Sequence, residues 1–132
     1  MIDNRTKNLE QIRIEIPSAK VNENMRLEER FQNQTLRPII KFQNDLIIEI
    51  FKIYTQKHNS VFYTLSIEKR IEYIEKAFLK DTKLKHILKG IVLGFFTVEE
   101  YKVYAQNTSR LNKRIISIIK DRVLSQLQLF EN

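Results

Sequence analysis

The sequence predicts an all-α protein, an antiparallel bundle of four to five helices joined by short loops. Two observations carry that prediction. Only two glycines and two prolines interrupt 132 residues, which leaves little chain-breaking material for turns. Apolar residues also recur at spacings of three and four through most of the chain, the period of a helix with one buried face. A single alternating stretch, Ile14-Glu15-Ile16, is stopped by Pro17 and has no partner strand elsewhere. A chain of this length buries roughly two-thirds of the surface its unfolded form exposes, so one core suffices without staples.

In order along the chain, Asp3 is placed to cap a short helix reaching Arg13, anchored only by Leu9 and Ile12. Residues 14 to 24 read as a mobile connector, which makes 1 to 24 an N-terminal appendage and 25 to 132 a single bundle domain. From Met25 the composition turns helical, and Pro38 then allows two readings. A break near Gln34 and Thr35, with Thr35 as N-cap, leaves the proline in a first turn where its missing N–H is harmless. A helix continuous from Met25 must instead kink at the proline. We adopt the break. Arg37, preceding the proline, is biased away from helical angles either way.

The next helix, Leu36 to about His58, turns Leu36, Ile39, Ile40, Leu46, Ile47, Ile50, Ile53 and Tyr54 inward. Gln43 interrupts that series with an amide and therefore needs a defined partner, because a buried amide left unpaired costs about 1 to 3 kcal/mol. After an apolar turn at Val61 to Leu65, Ser66 caps a helix to about Lys80 with Ile67, Ile71, Ile74 and Phe78 inward and a Glu72–Lys76 surface pair. Asp81 caps the following helix, Thr82 to Leu93, which buries Leu84, Ile87, Leu88 and Ile91. Gly90 reads as a site of close helix packing and Gly94 as the C-terminal cap. Thr97 and Glu100 have the spacing of a capping box, flanked by Phe96 and Tyr101 in the positions of a hydrophobic staple. That starts a helix at Val98, which ends near Asn107. A last helix runs from Ser109 or Arg110 to about Leu129, with Leu111, Ile115, Ile118, Ile119, Val123 and Leu127 inward.

Composition narrows the function classes. With no cysteine, disulfides, thiolate metal sites and cysteine nucleophiles are excluded, and the absence fits a reducing compartment. The N-terminal residues lack the apolar segment of a signal peptide, and the longest uncharged apolar run, Gly90 to Phe96, is too short to span a bilayer. A soluble cytoplasmic protein without membrane attachment is expected. The net charge of +7 is spread along the chain, with +3 in residues 109 to 132 and no block of five like charges. That favours solubility and a general attraction to polyanions.

Neither histidine, His58 or His86, has a second ligand at helical metal spacing, no phosphate-binding glycine loop is complete, and no Gly-x-Ser-x-Gly occurs. No catalytic, cofactor or metal site is read, and no small-molecule ligand is inferred. Two polar clusters stand out. The tripeptide Phe-Gln-Asn occurs at Phe31 to Asn33 and again at Phe42 to Asn44, and around it Gln32, Asn33, Arg37, Gln43, Asn44 and Asp45 form a candidate binding or register cluster. On the last helix Arg110, Lys113, Arg114 and Lys120 are candidate nucleic-acid contacts. The helix starting at Val98 is a poor recognition helix, since Glu99 and Glu100 at its start repel phosphate.

The segments from Phe31 to Leu46, from Leu88 to Tyr101 and from Leu111 to Arg114 resemble a group of short bacterial all-helical proteins often labelled glyoxalase. The likeness covers roughly residues 30 to 130. The label implies a metal-dependent lyase, but glyoxalase I enzymes carry their His, Gln and Glu ligands on the strands of paired βαβββ modules. The residues here offer no equivalent set, so no family site is carried over. The function expected is binding, to a protein partner or to a second copy of the chain. Phe42, Ile48 and Phe51 beside the main apolar stripe mark either a broadened buried face or an oligomer seam. Nucleic-acid binding through the last helix is the alternative, and a lyase the third.

Overall fold

The computed structural model describes residues 3–13, 26–58 and 60–130, and the connector expected at residues 14 to 24 lies outside them. Helices dominate: α1 (Asn4–Ile12), α2 (Leu27–Phe31), α3 (Arg37–Phe42), α4 (Asn44–His58), α5 (Ile67–Lys80), α6 (Thr82–Leu93), α7 (Val98–Gln106) and α8 (Thr108–Leu124). A 3-10 turn, Ser60–Thr64, links α4 to α5, and another, Leu127–Leu129, follows α8. There is no strand among the described residues. The all-α bundle expected from apolar periodicity is thus the observed class.

Local chemistry explains most boundaries. Asp3 accepts from the Thr6 N–H (2.6 Å), Ser66 from that of Lys69 (3.3 Å) and Asp81 from that of Leu84 (3.0 Å), each satisfying a first-turn N–H that has no helical partner. The capping box at α7 is complete. Thr97 Oγ1 accepts from the Glu100 N–H (3.1 Å), while Glu100 Oε1 accepts from that of Thr97 (2.8 Å).

No break falls at Thr35. The chain instead runs from α2 into α3 through a π-turn, Gln32–Leu36, with Leu36 and Arg37 both at helical angles (φ −68°, ψ −50° and φ −62°, ψ −45°). The Arg37 N–H bonds the Gln32 carbonyl five residues back. Two constraints account for this. Five α-helical residues advance about 500°, which would leave Phe31 roughly 140° away from Leu36, whereas five residues nearly complete one π-turn. Both side chains are buried. Pro38 also has no N–H to give the Gln34 carbonyl four residues before it. That carbonyl accepts from Arg13 Nη2 (3.0 Å) of the segment following α1.

Arg13 is the centre of a clamp between distant parts of the chain. Its Nη1 lies 2.6 and 2.8 Å from the two carboxylate oxygens of Glu100, and Thr35 donates to Glu100 Oε2 (2.8 Å) rather than capping a helix. At the other end of α1, Arg5 donates to the Gly94 and Phe96 carbonyls (2.6 and 3.1 Å) in the α6–α7 turn. Leu9 is buried beneath α1, whereas Ile12, expected as a second anchor, is exposed. Charge-assisted bonds to the backbone therefore hold α1 more than apolar contact does.

A single cluster forms the core, with α8 packed against α3, α4, α5, α6 and α7. Leu111, Ile115, Ile119 and Val123 of α8 meet Leu36, Ile39, Ile40, Ile47 and Phe51 from the α3–α4 side, and Ile74, Phe78, Leu84, Leu88 and Val92 from α5 and α6. α6 begins beside Tyr54, whose hydroxyl donates to Asp81 (2.9 Å), and ends beside Gln43, so it runs antiparallel to α4. Ile48 and Phe51 lie in the core, broadening the buried face of α4.

Several inward assignments are corrected. Leu46, Ile53, Ile67 and Ile87 are exposed: on α4 the axis is offset at Gln43 (φ −85°, ψ 5°) and core contact extends toward Ile48 and Phe51 instead, while Ile67 is the first residue of α5 and Ile87 lies off the Leu84–Leu88–Val92 face of α6. Tyr101 is exposed, and Phe96 packs edge-on against Phe31 (5.6 Å) and Tyr104 (5.7 Å), so the staple partner is one turn further on. The surface ion pair on α5 is Lys69–Glu72 rather than Glu72–Lys76. Gly90 faces open space, with no atom within 4 Å of the position a Cβ would take, so close packing does not explain it.

Candidate functional site

Charge converges in a groove between α6 and α8, lined also by α5. Its volume is about 540 Å³. Leu84, Leu88 and Val92 turn one face of α6 into the core, which sets Lys85 and Lys89, one turn apart, along the edge of that face. On α8, burial of Leu111, Ile115 and Ile119 likewise sets Lys113 and Lys120, two turns apart, along the opposing edge. The lysines flank an apolar lining of the buried Phe78, the half-buried Ile116 and the exposed Leu79, with Thr82, Asn112 and Ser117 as neutral polar lining.

Glu75 is the one carboxylate in the lining. Four lysines against that carboxylate give 4 − 1 = +3 within one groove, before His86 is considered. Among the described residues none of the four lysines forms an ion pair. Lys85 gives a hydrogen bond to the Leu79 carbonyl (3.2 Å), and Lys85, Lys89 and Lys120 are half-buried, as long charged side chains are when their stems cover apolar surface. A concave, low-dielectric surface of one sign concentrates oppositely charged ligands. Among the described residues there is no cluster of three or more His, Cys, Asp or Glu side chains fit to hold a metal ion.

The four cations expected to form a nucleic-acid face on the last helix do not act together. Lys113 and Lys120 line the groove, whereas Arg110 pairs with Glu28 (2.9 Å), and that contact raises its guanidinium pKa. Arg114 is exposed, displaced about 100° around the helix from Lys113. Lys85, Lys89 and Glu75 were not singled out by sequence, although the i, i+4 spacing of the two lysines on a helix is a visible sign.

The polar cluster around the doubled tripeptide is also divided. Gln43, 9% exposed, donates to the Ile91 carbonyl (3.0 Å). The Phe95 N–H that would continue the helical ladder to that carbonyl bonds Val92 instead, so Gln43 serves an open C-terminal carbonyl of α6. Asn33 accepts from Arg37 Nε (3.2 Å) within one helix turn. Asn44 exchanges two hydrogen bonds with Gln126 (2.7 and 3.0 Å) and accepts from Arg122 Nε (2.8 Å), joining the start of α4 to the end of α8. Gln32 is half-buried in the π-turn, and Asp45 is exposed beside Asn44 (3.4 Å). Burial, and then the nearby charge of Arg37, lower the pKa of Arg122, a residue the sequence reading passed over.

No protein family, curated protein or solved structure matches this chain. No helix among the described residues is long and apolar enough to cross a membrane.

Proposed function

We propose that this protein is a non-enzymatic binding module that receives an acidic, partly apolar segment of a protein partner in the α6–α8 groove. The observation that carries the reading is the convergence of Lys85, Lys89, Lys113 and Lys120 around an apolar lining that includes Leu79 and Ile116. Acidic side chains of the partner meet the lysines, and its apolar anchors meet Leu79 and Ile116. The helix-in-groove mode of peptide recognition has the same division of labour. The cytoplasm is the setting for this interaction.

Single-stranded nucleic acid is a poorer occupant. Such ligands stack bases on accessible aromatic rings, and the lining holds no Tyr or Trp while its one Phe, Phe78, is buried. The lyase reading rests on the resemblance alone.

The test is fluorescence anisotropy with two labelled probes of equal length, a peptide of alternating Glu and Leu pairs and a mixed-sequence RNA. The peptide binds more tightly than RNA, and reversing one charge on each wall in Lys85→Glu/Lys113→Glu weakens it by roughly tenfold or more. Unchanged peptide binding in that variant, or tighter binding of RNA, overturns the proposal.

A further inference from the structure

Of the three apolar residues that mark either a broadened core or a seam, Ile48 and Phe51 are buried, while Phe42 stays 40% exposed. It is not isolated. Its ring lies 5.2 Å from that of Phe95, just past the end of α6. Leu46 and Ile53 of α4 and Ile87 of α6 are 44 to 47% exposed. Two contacts fix α4 and α6 side by side. Gln43 donates to the Ile91 carbonyl (3.0 Å) at one end, and the Tyr54 hydroxyl donates to Asp81 (2.9 Å) at the other. Leu46 and Ile53, seven residues apart, share one line along α4, and Ile87 and Ile91, four apart, share one along α6. Half-buried Ile50 and Ile91 lie between the exposed residues, so an apolar strip follows the α4–α6 boundary.

The charges bordering this strip are complementary. Glu49 stands one turn before Ile53 on α4, with Asp45 a further turn back, and Lys83 stands one turn before Ile87 on α6. None of the three forms an ion pair among the described residues. Glu49 is five residues from Tyr54 and Lys83 two from Asp81, so they stand within about one helix turn of the same level.

We propose that a second copy of this chain docks on the α4–α6 face, about a two-fold axis parallel to the two helices. Such an axis exchanges the two lines and keeps their level, which sets α4 of one protomer antiparallel against α6 of its partner. Leu46 and Ile53 then meet the apolar line of the other α6, and Glu49 meets Lys83 of the partner subunit, twice per dimer. Four side chains 40 to 47% exposed supply on the order of 300 Å² of apolar surface per copy, the centre of a small interface. Lys57, one turn past Ile53, and the net charge of +7 oppose the contact and make it reversible. An anionic membrane is a poorer occupant, because Asp45 and Glu49 border the strip. The face is independent of the lysine groove, since Ile87 and Ile91 lie on the far side of α6 from Lys85 and Lys89.

The experiment follows the mass of the full chain by light scattering and sedimentation velocity from about 1 μM to about 1 mM. The mass rises from one copy to two. Leu46→Glu/Ile87→Glu stays monomeric while the melting temperature of the dilute protein is unchanged, both positions being exposed. Glu49→Lys and Lys83→Glu each weaken the dimer by about tenfold, since each change acts twice, and the double reversal restores it. A single-copy mass throughout, assembly beyond two copies, undiminished association in Leu46→Glu/Ile87→Glu, or no recovery in the double reversal overturns the proposal. So does loss of the dimer in Lys85→Glu/Lys113→Glu, which places the contact in the groove. Pelleting with phosphatidylserine vesicles that Leu46→Glu/Ile87→Glu abolishes overturns it as well, making the strip a membrane contact.

Discussion

Replacing Glu100 with glutamine removes one charge from a carboxylate that three groups share through four contacts. Its oxygens accept from Arg13 Nη1 at 2.6 and 2.8 Å, from the Thr97 N–H at 2.8 Å and from the Thr35 hydroxyl at 2.8 Å. Glutamine keeps one acceptor oxygen, enough for the capping box, which tolerates glutamine at that position. Its amide nitrogen then points a donor at Arg13 or Thr35. The Arg13 and Glu100 side chains are 12% and 19% exposed, so the guanidinium is left largely desolvated without its counter-charge. Breaking a pair buried to this degree costs about 3 kcal/mol. For a domain of this size that lowers the melting temperature by roughly 10 °C. The assay is urea and thermal unfolding of wild type, Arg13→Ala, Glu100→Gln and the double variant. The double variant should be less destabilised than the sum of the singles, by about 1 to 3 kcal/mol. The loss should also persist in high salt, where an exposed pair would be screened. A Glu100→Gln cost below about 0.5 kcal/mol, the range of ordinary surface changes, or strict additivity, refutes the clamp.

Two further outcomes follow from the structure. Gly90→Ala should stabilise the protein by about 0.5 to 1 kcal/mol in urea unfolding, since the position is helical and exposed and nothing stands within 4 Å of the new methyl group. The Tyr54 phenol is raised above its usual value by burial and by its hydrogen bond to Asp81, so the folded state favours the protonated form. That contribution is complete below about pH 10 and is lost as pH rises beyond it. Alkaline unfolding followed by circular dichroism should show a stability loss that is shallower in Tyr54→Phe, at the cost of about 1 kcal/mol at neutral pH for the lost hydrogen bond.

What could be read in the sequence was local. Asp3, Ser66, Asp81 and the Thr97–Glu100 box each declare a helix start within four residues, because the side chain and the N–H it serves are neighbours in the chain. The inward face of α8 was legible because its burial follows one uninterrupted period. The α3–α4 face was less so, since the offset at Gln43 rotates which residues meet the core and leaves Leu46 and Ile53 outside. The Arg13–Glu100 contact joins positions 87 residues apart. The groove likewise pairs two lysines of α6 with two of α8, and neither pair identifies the other. Gln43 was conspicuous as an amide in an apolar series, yet its partner is a carbonyl on another helix whose vacancy depends on how α6 ends.

The π-turn at Gln32–Leu36 gives this helix a reading frame. Phe31 upstream and Leu36, Ile39 and Ile40 downstream all reach the core because five residues fill the arc that fewer would fill in an α-helix. Deleting one residue within Gln32–Leu36 would shift every side chain on one side by about 100° while leaving composition almost unchanged. A loop absorbs such a deletion quietly, but here it acts as a frameshift in space. Either Phe31 leaves Phe96, or the chain beyond Pro38 turns its apolar face outward. In comparisons among related sequences, the length of this stretch should therefore be held more strictly than the identity of its exposed residues.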